Sequence, residues 1–130
     1  MQHTPGSTID DAKVYSGKIV GGRAKVVVRS ALGLEPLRCL DFFGPSFSWG
    51  FHGGAADELA IAILHDHFGL DSTVVGSRIR GMYHAFVDEV VSKLSRARTW
   101  TLDEDAVAKW VVRHERGRQP LAPVALKVFS

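Results

Sequence analysis

The chain has 130 residues, of which 45% are hydrophobic and 23% are charged, and its formal net charge is +2. This length predicts a single domain with its own core, and the composition excludes a disordered or low-complexity chain. No apolar run approaches the roughly 20 residues of a membrane span, and the first residues lack the pattern of a signal peptide. Because Cys39 is the only cysteine, no intrachain disulfide can form, and we expect a cytoplasmic protein.

The N-terminal third of the chain predicts a small antiparallel sheet. Two β-prone runs, residues 13–20 and 23–29, flank a Gly-Gly pair that accepts the positive φ values of a tight hairpin turn. Residues 37–43 indicate a third strand, with Pro36 marking either its start or an edge of the sheet. In residues 47–51 three aromatic residues alternate with small or polar ones, which is typical of a short strand with an aromatic face on the core.

Helices are predicted for the rest of the chain. Gly53 and Gly54 turn the chain into a helix that is apolar all round over residues 59–64 and is therefore buried, with Gly69 as its C′ residue. Residues 75–94 keep apolar side chains at helical spacing, which predicts one continuous amphipathic helix capped by Asp71 or Ser72.

The last helix is predicted from its start signal. Thr101 and Glu104 have the spacing of a capping box, and Val107, Trp110 and Val111 form an apolar stripe at helical spacing. The predicted fold is therefore α+β, with a small N-terminal antiparallel sheet (a hairpin plus one or two strands) packed against about three helices. Its organisation is predicted as a flexible leader (1–12), a single domain (13–112) and a basic and apolar C-terminal extension (113–130).

Several short segments together resemble an uncharacterised family, a domain of unknown function of small bacterial, plasmid and phage proteins. The most specific are the Trp-Gly-Phe-x-Gly-Gly turn at residues 49–54 and the apolar helix that follows it. The others are Tyr-Ser-Gly at 15–17, the helical residues 86–94 and Trp-Thr-Leu at 100–102, so the resemblance covers about residues 14–111. It implies a fold and a mobile-element context, and it carries over no catalytic residue.

No spacing in the sequence predicts an enzyme. His65 and His67 are two apart on a helix and point about 200° apart, so they cannot chelate one ion, and convergence of His52, His65 and His84 would need the tertiary fold. His65 is placed on the outer helix face and His67 on the side of Ile63 and Leu64. Cys39 is interpreted as a small buried hydrophobe. We expect no catalytic residue, no metal site and no cofactor.

The sequence is interpreted as a non-catalytic interaction protein of a mobile genetic element. Its partner would be a host protein or complex, with inhibition of a bacterial defence system as one outcome, and its oligomeric state is not predicted. The candidate partner-binding residues are the basic and apolar side chains near the C-terminus: Arg113, Arg116, Arg118, Leu121, Val124 and Phe129.

Two alternatives stay open. The first is a weak nucleic-acid-binding regulator, for which the candidate residues are cations near the two ends of the helix predicted over residues 75–94: Arg78, Arg80, Lys93, Arg96 and Arg98. The net charge is small for a dedicated nucleic-acid binder, and acidic residues lie between these cations. The second alternative is an unrecognised metal-dependent enzyme that gathers His52, His65 or His84.

Overall fold

A computed structural model describes residues 13–70 and 75–117 and contains one four-stranded antiparallel sheet in the order β3-β2-β1-β4. The strands are β1 (Val14–Val20), β2 (Arg23–Ser30), β3 (Gly33–Pro36) and β4 (Trp100–Asp103). The helices of these residues are α1 (Gly54–His67), α2 (Ser77–Arg80), α3 (Tyr83–Glu89) and α4 (Glu104–Gly117), with a 3-10 turn at Val91–Lys93. The predicted α+β class is confirmed.

The hairpin of β1 and β2 follows the prediction. Val20 pairs with Arg23 across a two-residue turn, in which Gly21 has a φ of 57° and Gly22 a φ of 79°. Two successive positive φ values define the turn that matches the twist of a hairpin, and only glycine adopts both at low cost. This local signal fixes the register of the two central strands.

The third strand lies earlier than predicted. Ala31 and Leu32 form a tight turn, so pairing with β2 begins at Gly33 and ends at Pro36, which closes the strand and does not open it. The prediction of a strand over residues 37–43 is therefore wrong. A buried carboxylate satisfies the backbone there instead, since Glu58 accepts hydrogen bonds from the amides of Leu40 (3.1 Å) and Phe43 (2.8 Å).

The aromatic run at residues 47–51 is not a strand either. Gly50 has a φ of 83°, which is incompatible with a continuous extended chain, and its amide bonds to the carbonyl of Val91 at 3.0 Å. Trp49 is fully buried whereas Phe51 is 44% exposed, so the aromatic rings do not share one face. The segment is a loop that inserts one indole into the core.

Helix α1 is the buried helix that the sequence predicts. Its side chains are buried on every side from Leu59 to Leu64. The helix ends in a Schellman motif, in which the amide of Gly69 bonds to Asp66 O (3.0 Å) and that of Leu70 to His65 O (3.3 Å). Gly69 has the positive φ of 67° that this motif requires.

Residues 75–94 do not form the single helix that their periodicity predicts. Gly81 ends α2, α3 begins only at Tyr83, and the backbone of Val90 (φ −124°, ψ −64°) separates α3 from the 3-10 turn. The apolar positions are nevertheless buried at Ile79, Met82, Phe86, Val87 and Val91. The apolar side chains therefore still face the core, although the backbone that carries them changes direction. The predicted caps, Asp71 and Ser72, lie outside the described residues.

The start of α4 corrects the capping-box prediction. Thr101 belongs to β4, where it pairs with Ser16 of β1, and the helix begins two residues later than predicted. The cap is Asp103, whose carboxylate accepts a hydrogen bond from the amide of Ala106 at 2.8 Å. Thr101 does not cap the helix, because its backbone is paired with β1 as part of the sheet. The predicted stripe of Val107, Trp110 and Val111 is buried.

The core lies between the inner face of the sheet and the helices. Trp49 and Trp100 meet edge to face with ring centroids 5.5 Å apart, and Trp49 donates its indole N–H to Ser95 O at 2.9 Å. Phe86 contacts Trp110 in the same manner, at 4.9 Å. Among the described residues, no helix has both the length and the apolar character needed to cross a bilayer.

Candidate functional site

The histidines of the metal hypothesis lie in different environments. His52 Nε2 is 2.6 Å from Asp88 Oδ1 at an exposed site, whereas His65 is only 4% exposed within α1. The placement of His65 on the outer face is wrong, because α1 is packed on all sides. His67 Nδ1 lies 3.2 Å from Glu104 Oε2 at the start of α4. Within residues 13–70 and 75–117, no three histidine, cysteine or acidic side chains cluster in a way that would hold a metal ion.

Asp57 links two of the histidines electrostatically. Burial at the start of α1 raises the pKa of this carboxyl above its usual value, and the charges of His84 and His52 act in the opposite direction. His52 and His84 therefore lie on the same side of the molecule.

Cys39 is half-buried, less enclosed than the sequence predicts. Its Sγ lies 3.6 Å from Glu58 Oε2 and 3.5 Å from Gly44 O. Burial, with a smaller contribution from the negative charge of Glu58, raises the pKa of the Cys39 thiol, although a backbone hydrogen bond from Asp41 opposes the shift. These surroundings favour the neutral thiol over the reactive thiolate.

Most of the arginines proposed for nucleic acid contact groups of their own chain. The Arg78 guanidinium forms two hydrogen bonds to Glu115, at 2.8 and 2.9 Å, and lies over the ring of Phe68. Arg80 lies over the ring of Phe42 at 5.4 Å. Arg96 bonds to the loop at Ser48 and Trp49, and Lys93 and Arg98 are exposed. Three of the five cations thus contact different groups of their own chain, and the other two are exposed.

The described partner-binding candidates lie on α4. Arg113 and Arg116 are exposed and line a shallow groove of about 390 Å³ beside Val112, which is 51% exposed. Helix α4 continues through these positions to Gly117. The remaining predicted contacts lie outside the described residues: Arg118, Leu121, Val124 and Phe129.

The outer face of the sheet is a candidate surface that the sequence analysis missed. Residues alternate between the two faces of β1, so Tyr15 and Gly17 point to the core while Val14, Ser16 and Lys18 point away. A groove of about 290 Å³ crosses this outer face. It is lined by hydroxyl, aliphatic and basic side chains from all four strands and from the residue before β4: Val14, Ser16, Lys18, Lys25, Val27, Arg29, Leu34, Thr99 and Thr101.

Three cations on this face lack acidic partners. Lys18 and Lys25 are paired residues in the register of β1 and β2, and Arg29 lies further along β2 on the same side. Directly opposed like charges destabilise a sheet. In the part of the chain that the structure describes, none of the three forms an ion pair, and no carboxylate lines the groove. The groove therefore carries a concentrated positive charge, while Asp103, which pairs with Val14 at the end of β4, adds one carboxylate to the same face outside the groove lining.

A model of a family of unknown function, DUF6166, matches residues 15–113. The chain belongs to this family. The match covers the described sheet except Val14, all of α1 to α3, and most of α4. Neither the comparison with curated proteins nor that with solved structures finds a match. The DUF6166 assignment confirms the predicted resemblance to an uncharacterised domain, and it brings no residue roles.

Proposed function

We propose that this DUF6166 protein is a non-catalytic interaction protein, and that the outer face of its sheet binds an acidic surface of a partner protein. The observation that carries the proposal is the opposed pair Lys18 and Lys25, with Arg29 beside it, around a groove that no carboxylate of the described residues lines. An acidic partner would relieve the repulsion within this group, and complementary charge of this kind raises association rates and fixes orientation.

Aliphatic side chains among the cations favour a protein partner over nucleic acid. Leu34 is 64% exposed, and Val14 and Val27 line the same groove. An apolar centre with basic groups around it suits a protein interface. Sheets that bind single-stranded nucleic acid instead present aromatic rings for stacking, and among the described residues no aromatic side chain lines this groove. Nucleic-acid binding is thus the alternative outcome of the test.

The biological setting that we propose rests on the sequence. The resemblance to small plasmid and phage proteins supports a protein of a mobile genetic element that binds a host complex, with inhibition of a bacterial defence system as its effect. A single cysteine, Cys39, supports a reducing compartment, and we propose the cytoplasm. The functions encoded by neighbouring genes would test this setting.

Charge reversal at Lys18 is expected to weaken partner binding while it raises the stability of the fold. In Lys18→Glu, the new carboxylate faces Lys25 across the strands, so an opposite-charge pair replaces a like-charge pair. We expect a gain of about 0.2–1 kcal/mol in the free energy of unfolding. The same variant should bind an acidic partner less tightly, and lost binding therefore cannot be attributed to misfolding.

The experiment is affinity capture from host lysate with three forms of the full chain. These are the unchanged protein, Lys18→Glu, and the matched double variant Arg113→Glu/Arg116→Glu, which changes the exposed end of α4. We expect a protein that the unchanged chain and the α4 variant retain, and that Lys18→Glu and high salt release. A partner lost only with the α4 variant would move the contact to Arg113 and Arg116. Retention of the same proteins by all three forms would refute both surfaces.

Nucleic acid is tested separately with purified components. Duplex and single-stranded oligonucleotides are titrated at low and moderate salt with the unchanged chain and Lys18→Glu. Binding that falls steeply with salt and with Lys18→Glu would replace the protein partner by a phosphate backbone. No binding at low salt would dispose of this alternative.

A further inference from the structure

A polar cleft separates the tip of the β1–β2 hairpin from the loop that precedes α1. Its volume is about 510 Å³, within the range of small-molecule sites. Arg23 lines it from the hairpin, Ser46, Phe47 and Ser48 line it from the loop, and Arg96 lines it from the segment before β4. Two arginines and two serines thus face one cleft, and no acidic side chain among the described residues lines it.

Arg96 is held in place by uncharged groups. Its Nη1 donates to Ser48 Oγ at 2.8 Å and to Trp49 O at 3.0 Å, and its guanidinium carbon lies 5.2 Å from the centroid of the Phe51 ring. Gly50 makes room for the side chain, because a Cβ at this position would lie 2.8 Å from Arg96 Cγ. The arginine is therefore ordered before any ligand arrives, which lowers the entropic cost of binding.

The positive charge of Arg96 remains available. Among the described residues, its Nε and Nη2 have no hydrogen-bond acceptor, and no carboxylate pairs with it. Arg78, by contrast, uses two nitrogens on Glu115. A planar guanidinium with two free donor nitrogens matches the oxygens of a phosphate group, and a second arginine and a hydroxyl complete the usual recognition set.

We propose that this cleft binds the phosphate group of a small phosphorylated molecule of about nucleotide size. Arg96 supplies the ordered donor fork, Arg23 supplies the second positive charge from the hairpin, and Ser46 supplies a hydroxyl. A phosphomonoester carries about −1.5 to −2 charges at neutral pH, which two arginines without a nearby carboxylate balance. The proposal is independent of the contact proposed for the outer face of the sheet.

The test is a titration of the full chain, at constant ionic strength, with inorganic phosphate, ADP and a short single-stranded oligonucleotide. Binding is followed by NMR through the Arg96 side-chain N–H and the amides of Ser48 and Gly50. We expect saturable shifts with ADP and weaker ones with inorganic phosphate. Loss of a charge-assisted hydrogen bond of about 1.5–3 kcal/mol predicts that Arg96→Gln weakens ADP binding about 10- to 100-fold.

Two further variants keep the test interpretable. Arg23→Gln removes a charge without removing any hydrogen bond within the described residues, so its loss of ADP affinity cannot come from a displaced loop. Arg98→Gln is the matched control, because this exposed arginine does not line the cleft, and it should leave the affinity unchanged. Absence of saturable ADP shifts, or equal weakening by Arg98→Gln, would overturn the proposal. Shifts produced by the oligonucleotide alone would overturn the assignment to a small molecule.

Discussion

Gly17 offers the sharpest test of how the sheet packs on the core. It lies in β1 between two partner strands, opposite Val26 and Trp100. A Cβ built at this position lies 2.5 Å from Cε2 and Cζ2 of the Trp100 ring. Ordinary contact begins at about 3.4 Å, so the ring or the strand must move by about 0.9 Å. The ring is 5% exposed and packs edge-on against Trp49, which leaves it little room to retreat.

The energy of Gly17→Ala combines two opposing terms. Overpacking of a core lowers the free energy of unfolding by about 1–3 kcal/mol. Alanine has less conformational freedom than glycine in the unfolded chain, which raises the free energy of unfolding by about 0.4–1 kcal/mol. We therefore expect a net loss of about 1–2 kcal/mol. The unfolding entropy of a 130-residue chain converts this loss to a fall in Tm of about 4–8 °C.

Thermal unfolding followed by circular dichroism measures the effect of Gly17→Ala against two references. Gly44→Ala is the matched control, since nothing lies within 4 Å of its added Cβ, and it should leave Tm unchanged or slightly higher. In a Trp100→Phe background the clashing indole atoms are gone, and the penalty of Gly17→Ala should shrink. An unchanged or raised Tm for Gly17→Ala, or the same penalty in both backgrounds, would refute the packing argument.

Three further predictions concern polar contacts. Glu58→Ala removes the acceptor of two part-buried backbone amides and should cost about 1–3 kcal/mol in urea denaturation, whereas a loss below about 1 kcal/mol would contradict its anchoring role. Burial, reinforced by the charge of Asp66, raises the pKa of the Tyr15 phenol far above its usual 10.0, so the folded protein keeps a proton that the unfolded chain loses. The free energy of unfolding should therefore fall above about pH 10, by up to about 1.4 kcal/mol per pH unit. Tyr15→Phe should remove this pH dependence, and an unaltered slope in that variant would contradict the role of Tyr15. Asp88→Asn removes the negative charge from the 2.6 Å contact with His52, yet both side chains are about two-thirds exposed (66% and 65%), so we expect a loss below about 1 kcal/mol, and a larger one would show that the pair is shielded from solvent.

Features with local physical causes could be predicted from the sequence. The glycine pair at residues 21 and 22 fixes the hairpin because the turn itself demands positive φ. The end of α1 follows from Gly69 and the Schellman bonds around it. In both cases the residues that determine the local structure lie within a few positions of it in the sequence. The structure can therefore be predicted without knowledge of the tertiary fold.

Features determined by distant partners were missed. The four residues of β4 pair with β1, more than 80 positions earlier, and this pairing overrides the capping box that begins at Thr101. Residues 37–43 look like a strand, but Glu58 supplies the hydrogen bonds that a neighbouring strand would otherwise supply. Gly81 lies in a run with continuous helical periodicity, yet the helix Ser77–Arg80 ends there, and the periodicity alone does not indicate this break.

Part of the candidate surface could have been predicted, because the two-residue hairpin turn already sets the register of β1 and β2. Lys18 and Lys25 each look like an ordinary solvated residue in the sequence, and only the register of the hairpin places them opposite each other. The two faces of β1 then respond to substitution in opposite directions. On the inner face Gly17→Ala should destabilise the fold, because the core has no spare volume beside Trp100. On the outer face Lys18→Glu should stabilise it, because the present arrangement holds like charges together. If Lys18→Glu raises the stability of the fold, then the repulsion between Lys18 and Lys25 does not serve folding. Such a repulsion is the physical reason to expect that this face binds a partner.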